Sequence, residues 1–190
     1  VRSSAASDVY KRQVLVVRKA EEDEDKIWSY VQTVAAAALD KFVAMREVEG
    51  AKMKADVAGR AQTILDCVAF VEERSPQTVR EYNEKLAARV HELLGDVTLD
   101  EGRLLQETAI FADKVAVAEE TVRLRSHIAQ LGKFLEAEEP IGRKMDFLVQ
   151  EINREANTIG SKASDVAIAG KVIDIKAEVE KIREQIQNIE

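Results

Sequence analysis

The chain has 190 residues, of which 46% are hydrophobic and 33% charged, with a formal net charge of −7 at pH 7. Its single Cys excludes a disulfide scaffold, its aliphatic content excludes disorder, and 8 Gly with 2 Pro are too few for a turn-rich β protein. The negative charge argues against nucleic-acid binding through the bulk field, although local basic patches can still hold phosphates.

The N-terminal half is predicted to be mostly helical. Residues 1–13 (VRSSAASDVYKRQ) show no hydrophobic period and no helix cap, so we predict a non-native or disordered leader there. VLVV at 14–17 is compatible with a short strand, and a helical pattern runs from Lys26 to about Arg74. Ser75-Pro76 predicts a break, because Ser is a good N-cap and Pro a good first helical residue. The helix that starts there is predicted to end at Gly95.

Four further helices are predicted in the second half. TLDE at 98–101 is a capping box, which marks a helix start. Helical patterns then run from about Val117 to Glu138, from Arg143 to about Gly170, and from there to Asn188.

Three of these segments carry an apolar seam with alternating steps of three and four residues. The seam residues are Val117, Thr121, Leu124, Ile128, Leu131 and Leu135; Ile141, Met145, Leu148, Ile152 and Ile159; and Ile168, Val172, Ile175, Val179, Ile182, Ile186 and Ile189. Such stepping puts the residues of a segment on one helix face, and short connections favour antiparallel neighbours. We therefore predict an all-α fold of long helices in an antiparallel, coiled-coil-like bundle, whose last two segments form a hairpin.

Cys67 lies in ILDCVAF, where no base or positive field is visible, so a small buried hydrophobe is the expected role. An unpaired Cys without a recognisable signal peptide favours a cytoplasmic location. The longest apolar run, VAAAAL at 34–39, is too short to span a membrane, and we expect no membrane contact.

Two helices carry unusual polar residues. Beside the seam of 145–162 lies a stripe in which amides and hydroxyls replace the Lys and Glu of an ordinary solvated face: Asp146, Gln150, Asn153, Asn157 and Ser161. The next stripe holds Glu151, Arg154, Glu155, Thr158 and Lys162. These side chains either form a hydrogen-bonded network between helices or orient a metal, a water or a phosphate.

The second polar helix brings Glu120, Arg123 and His127 to one face. Such a set is most often a surface ion pair beside a structural histidine. A carboxylate, a cation and an imidazole on one face are also what metal-assisted or acid–base phosphodiester cleavage uses. We expect this face to approach Glu151, Arg154 and Glu155 across a groove, either within one chain or between neighbouring chains.

Long motifs resemble the YicC family of bacterial proteins. They are GRKMDFLVQEINREANTIGSKASD at 142–165 and IKAEVEKIREQIQNIE at 175–190, with RLLQE at 103–107, VAEE at 117–120, RLRSH at 123–127 and MREVEG at 45–50. The resemblance implies a cytoplasmic, divalent-metal-dependent endoribonuclease that assembles into a hexameric ring around RNA. It also implies an α+β full-length protein whose strand-containing N-terminal domain is largely missing here, so that this chain would fold without cleaving if the RNA channel needs that domain. The domains predicted on this basis are 14–97, the rest of the N-terminal domain with long connecting helices, and 98–190, a C-terminal helical domain.

For an endoribonuclease, the candidate catalytic residues are Glu120, His127, Glu151 and Glu155. Mg²⁺ and Mn²⁺ prefer oxygen ligands, so Glu120, Glu151 and Glu155 are the predicted ligands, and His127 is the predicted proton shuttle. The predicted RNA contacts are Arg123, Arg143, Lys144, Asn153, Arg154, Asn157 and Lys162. Family members often carry Asp where this chain has Ala116, which counts against a metal role for the Glu120 face.

The alternative function is a non-catalytic helical scaffold or RNA-binding adaptor, in which the polar helix only specifies packing.

Overall fold

The computed structural model describes residues 23–94, 101–137 and 139–187. These residues form no strand, and their five helices are α1 (Glu24–Leu94), α2 (Glu101–Lys114), α3 (Ala118–Phe134), α4 (Gly142–Lys162) and α5 (Val166–Ile186). The predicted all-α fold is confirmed. The leader at 1–13, the strand at 14–17 and the capping threonine at 98 lie outside the described residues.

Helix α1 runs without interruption through Pro76, so the predicted break at Ser75-Pro76 is wrong. A proline inside a helix removes one backbone donor and strains the preceding turn. Here the guanidinium of Arg74 spans the proline, donating to Gln77 Oε1 at 3.2 Å and to Glu81 Oε1 at 2.6 Å. These contacts and the packing of α1 outweigh the local start signal.

The chain divides into two compact units, Val1–Glu49 and Gly50–Glu190. The described part of the first unit is the beginning of α1, where every residue is exposed. Large apolar side chains are among them, including Trp28, Val34 and Phe42. No helix in the described part of the chain has the length and apolarity needed to cross a membrane.

The second unit has one hydrophobic core. Val57, Ile64, Val68 and Val71 of α1 pack there with the seams of α3, α4 and α5. All seam residues that the structure describes are buried except Leu135, which is half-buried, and Ile189 lies outside the described residues. Burying each large aliphatic side chain stabilises the fold by roughly 1.5–3 kcal/mol. The seam prediction is therefore confirmed.

Helices α4 and α5 form the predicted hairpin, but the helix boundary differs from the prediction. Helix α4 ends at Lys162 rather than continuing to about Gly170. Asp165 is the N-cap of α5 and accepts the backbone N–H of Ile168 at 3.0 Å. Gly160 lies so close to α5 that an added Cβ would be 3.1 Å from Val172 Cγ1, so glycine permits the close approach of the two helices.

Ion pairs join α1 to the helices packed on it. Arg60 donates to Glu178 of α5 at 2.9 Å, and Arg125 of α3 donates to Glu72 at 2.6 Å. These contacts tie α5 and α3 to α1, while α3 and α4 pack directly against each other.

Candidate metal centre

The predicted polar faces of α3 and α4 meet at a partly open edge of the helix pair. A ring nitrogen of His127 on α3 and one carboxylate oxygen each from Glu151 and Glu155 on α4 all lie within 4.8 Å of one another. Glu155 is buried at 4% exposure, whereas His127 and Glu151 are half-buried. The three side chains therefore combine a buried carboxylate with an imidazole and a second carboxylate nearer the solvent.

This group has the donors that a divalent cation needs. Two ligand atoms at about 2.1 Å from one cation are at most about 4.2 Å apart, so a small contraction of the group would suffice for binding. The set offers one imidazole nitrogen and two carboxylates, which suits Mn²⁺ and the divalent transition metals better than an all-oxygen cation such as Ca²⁺. The residues present thus fit a divalent metal.

Arg123 is the cation nearest to the buried carboxylate. Its Nη1 lies 3.6 Å from Glu155 Oε1, and it also forms an ion pair with Glu119 one turn earlier on α3. Its side chain is 53% exposed. The guanidinium offsets part of the cost of burying Glu155 without closing the site.

Glu120, a predicted metal ligand, lies elsewhere on the same interface. Lys162 Nζ donates to Glu120 Oε1 at 2.8 Å and to the backbone carbonyl of Ala116 at 2.9 Å. Glu120 and His127 are seven residues apart, or roughly 10 Å along the helix axis. The structure therefore brings His127, and not Glu120, to the pair Glu151–Glu155; the metal role of Glu120 stays a prediction.

Only one of the two oxygens of Glu120 is paired within the described part of the chain. Burial works to raise the pKa of Glu120, but the hydrogen bond and charge of Lys162, a backbone hydrogen bond and the charge of Arg123 together outweigh it, and the pKa is lowered. The second oxygen, Oε2, is buried and has no hydrogen-bond partner among the described residues. Lys162, a predicted RNA contact, is engaged with this carboxylate.

The other predicted RNA contacts lie along α4. Arg154 is exposed, with its Nη1 3.7 Å from Glu151 Oε2. Arg143 is exposed near the start of the helix, and the Nζ of Lys144 lies 2.5 Å from Glu139 Oε1. Of the seven predicted contacts, Arg123 and Arg154 lie beside the candidate centre.

The amide stripe of α4 forms a shallow surface groove. It is lined by Gln150, Asn153, Arg154, Asn157, Thr158 and Ser161. Thr158 and Ser161 donate to backbone carbonyls of their own helix, and Gln150 donates to Asp146. Within the described residues, the side-chain amides of Asn153 and Asn157 make no hydrogen bond. Among the described residues, the amide stripe therefore makes no hydrogen bond between helices, whereas Lys162 of the neighbouring stripe hydrogen-bonds across to Glu120 and Ala116.

The expected approach of the two polar faces is found for His127 and Arg123, which lie beside Glu151 and Glu155, but not for Glu120. The spacing of Glu151 and Glu155 placed both on one face, and His127 was recognised as a candidate for chemistry. Which residues of α3 meet which residues of α4 depends on the register between two helices, and helical periodicity carries no information on that register.

Fold and site together define an all-helical protein with a candidate divalent-metal centre between two antiparallel helices. The family model described as "Endoribonuclease YicC-like, C-terminal" matches residues 71–190, which contain this centre, and "Endoribonuclease YicC-like, N-terminal region" matches residues 3–55. The chain therefore belongs to the YicC family, and the resemblance found in its motifs is confirmed.

Two curated relatives carry the name "Probable endoribonuclease YicC". The protein of Clostridioides difficile is 48% identical over 178 residues, which are 93% of this chain and 61% of the relative. The protein of Haemophilus influenzae is 34% identical over 175 residues, which are 92% of this chain and 60% of the relative. The chain thus spans about three fifths of the length of these relatives.

Proposed function

We propose that this chain carries the metal-binding part of an endoribonuclease, with His127, Glu151 and Glu155 as the ligands of a divalent cation. The observation that supports this most strongly is the convergence of three ligand atoms within 4.8 Å at the edge of α3 and α4. The name of the two relatives supports RNA as the substrate.

Mn²⁺ and Mg²⁺ are the proposed cations, and the imidazole of His127 favours Mn²⁺. When bound, such a cation supplies a Lewis acid that neutralises charge developing on the scissile phosphate and makes a nearby water easier to deprotonate. Without a cation, the clustered carboxylates repel one another, so the affinity of the site for positive charge is built into Glu151 and Glu155.

The surrounding residues orient the substrate in this proposal. Arg123 can turn from Glu155 toward an RNA phosphate, because its guanidinium is half exposed and 3.6 Å from the carboxylate. Arg154 offers a second cation on the solvent side of Glu151. Glu120 and Lys162 hold α3 against α4 and so keep His127 opposite Glu155; their proposed role is positioning.

The remaining parts of the proposal rest on the family resemblance. They are a hexameric ring as the active assembly, a cytoplasmic location, and RNA contacts by Arg143, Lys144, Asn153 and Asn157. His127 is proposed as a ligand in place of the proton shuttle that its sequence position suggested.

The test is Glu155→Gln in the complete protein. The amide keeps the shape of the side chain but removes the charge that a cation needs, so single-turnover cleavage of a labelled RNA with Mn²⁺ should fall at least about 100-fold. The dissociation constant for RNA in EDTA should change less than about twofold. Glu119→Gln is the matched control, because Glu119 pairs with Arg123 but lies outside the ligand group.

Normal cleavage by Glu155→Gln would remove the metal role of this residue. Cleavage by the wild-type protein in EDTA would remove the metal dependence. If pure wild-type protein with Mn²⁺ or Mg²⁺ does not cleave RNA at all, the non-catalytic scaffold or RNA-binding adaptor becomes the better function.

A further inference from the structure

Phe147 departs from the pattern of α4. The other large apolar side chains of this helix are buried in its core face, whereas Phe147 is 64% exposed. It lies one turn before Gln150 and Glu151, which makes it their neighbour on the helix surface. An aromatic ring is thus exposed to solvent directly beside the candidate metal centre.

The ring also lies in line with the polar groove. Residues 147, 151, 154 and 158 share one stripe of α4, and the groove lined by Asn153 and Asn157 runs beside it. The distance from Phe147 to Asn157 is roughly 15 Å along the helix axis. A ring, a cation at Arg154 and two amides without hydrogen-bond partners among the described residues therefore form one continuous surface.

The chemistry of this surface favours one class of ligand. Five of the six residues lining the groove are neutral hydrogen-bonding side chains, and Arg154 is the only cation among them. A phosphate-dense duplex is held mainly by many cations. Unpaired RNA instead stacks its bases on aromatic rings and presents base edges and 2′-hydroxyls to amides.

We propose that Phe147 and the amide groove bind an unpaired segment of RNA beside the candidate metal centre. A base stacks on Phe147, Arg154 contacts a phosphate, and Asn153 and Asn157 hydrogen-bond with base edges or ribose hydroxyls. This inference rests on the proposed function and deepens it, because it makes Phe147 the residue that selects single-stranded over paired substrate.

The experiment measures binding of a labelled single-stranded RNA to the complete protein in EDTA, by fluorescence anisotropy. Phe147→Leu keeps an apolar side chain and removes the ring, so affinity should fall about 5- to 100-fold, as expected for the loss of one stacked base. Phe147→Tyr keeps the ring and should bind within about twofold of wild type. Ile173→Ala is the matched control, because Ile173 is similarly exposed, at 67%, on α5.

Two further arms make the test specific. The same RNA annealed to its complement should bind wild type and Phe147→Leu equally, and an RNA that is abasic at the stacking position should do so too. An unchanged affinity of Phe147→Leu for single strands, or an equal loss for duplex, would overturn the proposal. A change in oligomeric mass of Phe147→Leu by light scattering would also overturn it, since the ring would then face a second copy of the chain.

Binding in EDTA separates this inference from the nuclease itself. Ring-dependent binding without any cleavage would leave the RNA site standing and remove the proposed activity. Metal-dependent cleavage together with RNA binding that does not depend on Phe147 would support the proposed activity and remove the proposed RNA site.

Discussion

Two buried carboxylates, Glu120 and Glu155, lie at the interface between α3 and α4, and their cationic partners differ. Glu120 accepts a hydrogen bond from Lys162 at 2.8 Å, with a backbone carbonyl bound to the same ammonium. Glu155 faces Arg123 at 3.6 Å, beyond hydrogen-bond distance, and this guanidinium is shared with Glu119. A short contact to a dedicated cation closes the first site, whereas the second stays open to an added positive charge.

This difference is the basis for proposing a structural role for Glu120 and a metal-binding role for Glu155. A buried carboxylate whose charge is already neutralised by a hydrogen-bonded cation attracts a further cation less strongly, and removing that cation leaves a buried charge uncompensated. A buried carboxylate beside a second carboxylate and an imidazole is left with negative charge that a divalent cation can neutralise. Substitutions at Glu120 or Lys162 should therefore affect mainly the free energy of unfolding, and substitutions at Glu155 mainly the binding of a cation.

The largest effect on stability is expected at the closed site. Lys162→Met leaves Glu120 buried without a cation, which should lower the free energy of unfolding by about 3 kcal/mol. The double variant Glu120→Gln/Lys162→Met should recover most of that loss, because a neutral amide is cheaper to bury. Urea denaturation followed by circular dichroism measures both. A Lys162→Met protein as stable as wild type would show that the pair does not hold the helices together.

Asp165, the N-cap of α5, is a second carboxylate that is hydrogen-bonded to a cation. The guanidinium of Arg74 hydrogen-bonds to this carboxylate at 2.8 Å and, with the charge nearby, holds the pKa of Asp165 below its usual range. Because the pKa is lowered in the folded state, this contribution is present above a pH of about 4 and is lost as the pH falls through the folded-state pKa.

Asp165→Asn should therefore be less stable than wild type at pH 7, and the difference should shrink below about pH 4. Asparagine retains the N-cap, so Asp165→Ala should lose about 1 kcal/mol more than Asp165→Asn at every pH. Thermal unfolding of the three proteins across pH measures this. A difference between Asp165→Asn and wild type that does not depend on pH would contradict the role of the Arg74 pair.

These sites also show which features of the fold can be predicted from the sequence. The seams and the all-α fold follow from steps of three and four, a property of each helix alone. The N-cap Asp165 before Val166 was a readable signal for the α5 start that the seam pattern obscured. Pro76 predicted a break that does not occur, because Arg74 hydrogen-bonds to Glu81, seven residues further along α1, and to Asp165, the N-cap of α5. Neither contact follows from local sequence rules.

The candidate centre was predictable only in part for the same reason. Periodicity put Glu120 and His127 on one face of α3, and Glu151 and Glu155 on one face of α4. It could not tell which end of the α3 face would meet Glu155. That choice depends on the packing of whole helices, and it separated Glu120 from the group that His127 joined.

A smaller effect, on RNA binding, is expected at Arg154, on the solvent side of Glu151. Arg154→Ala should weaken RNA binding by about 5-fold and lower the slope of log K against log salt by about one, as for the loss of one phosphate contact. Anisotropy titrations in EDTA at several salt concentrations measure it. An unchanged slope would mean that Arg154 touches no phosphate.

The smallest effect on stability is expected from Arg123→Met. Because Arg123 is half exposed and 3.6 Å from Glu155, its loss should change the free energy of unfolding by less than about 1 kcal/mol. Urea denaturation beside Lys162→Met gives the comparison directly. Equal destabilisation by the two variants would show that the two carboxylate sites are closed alike.

Mn²⁺ binding tests the contrast between the two sites most directly. Calorimetric titration of the complete protein should find a site that His127→Ala and Glu155→Gln each weaken at least about tenfold. Glutamine at position 120 still offers an oxygen to Lys162 and so keeps α3 against α4, and Glu120→Gln should therefore bind Mn²⁺ within about twofold of wild type. Circular dichroism confirms that each variant is folded. If Glu120→Gln weakens Mn²⁺ binding as much as Glu155→Gln, or if His127→Ala binds normally, the cation is not held by His127, Glu151 and Glu155.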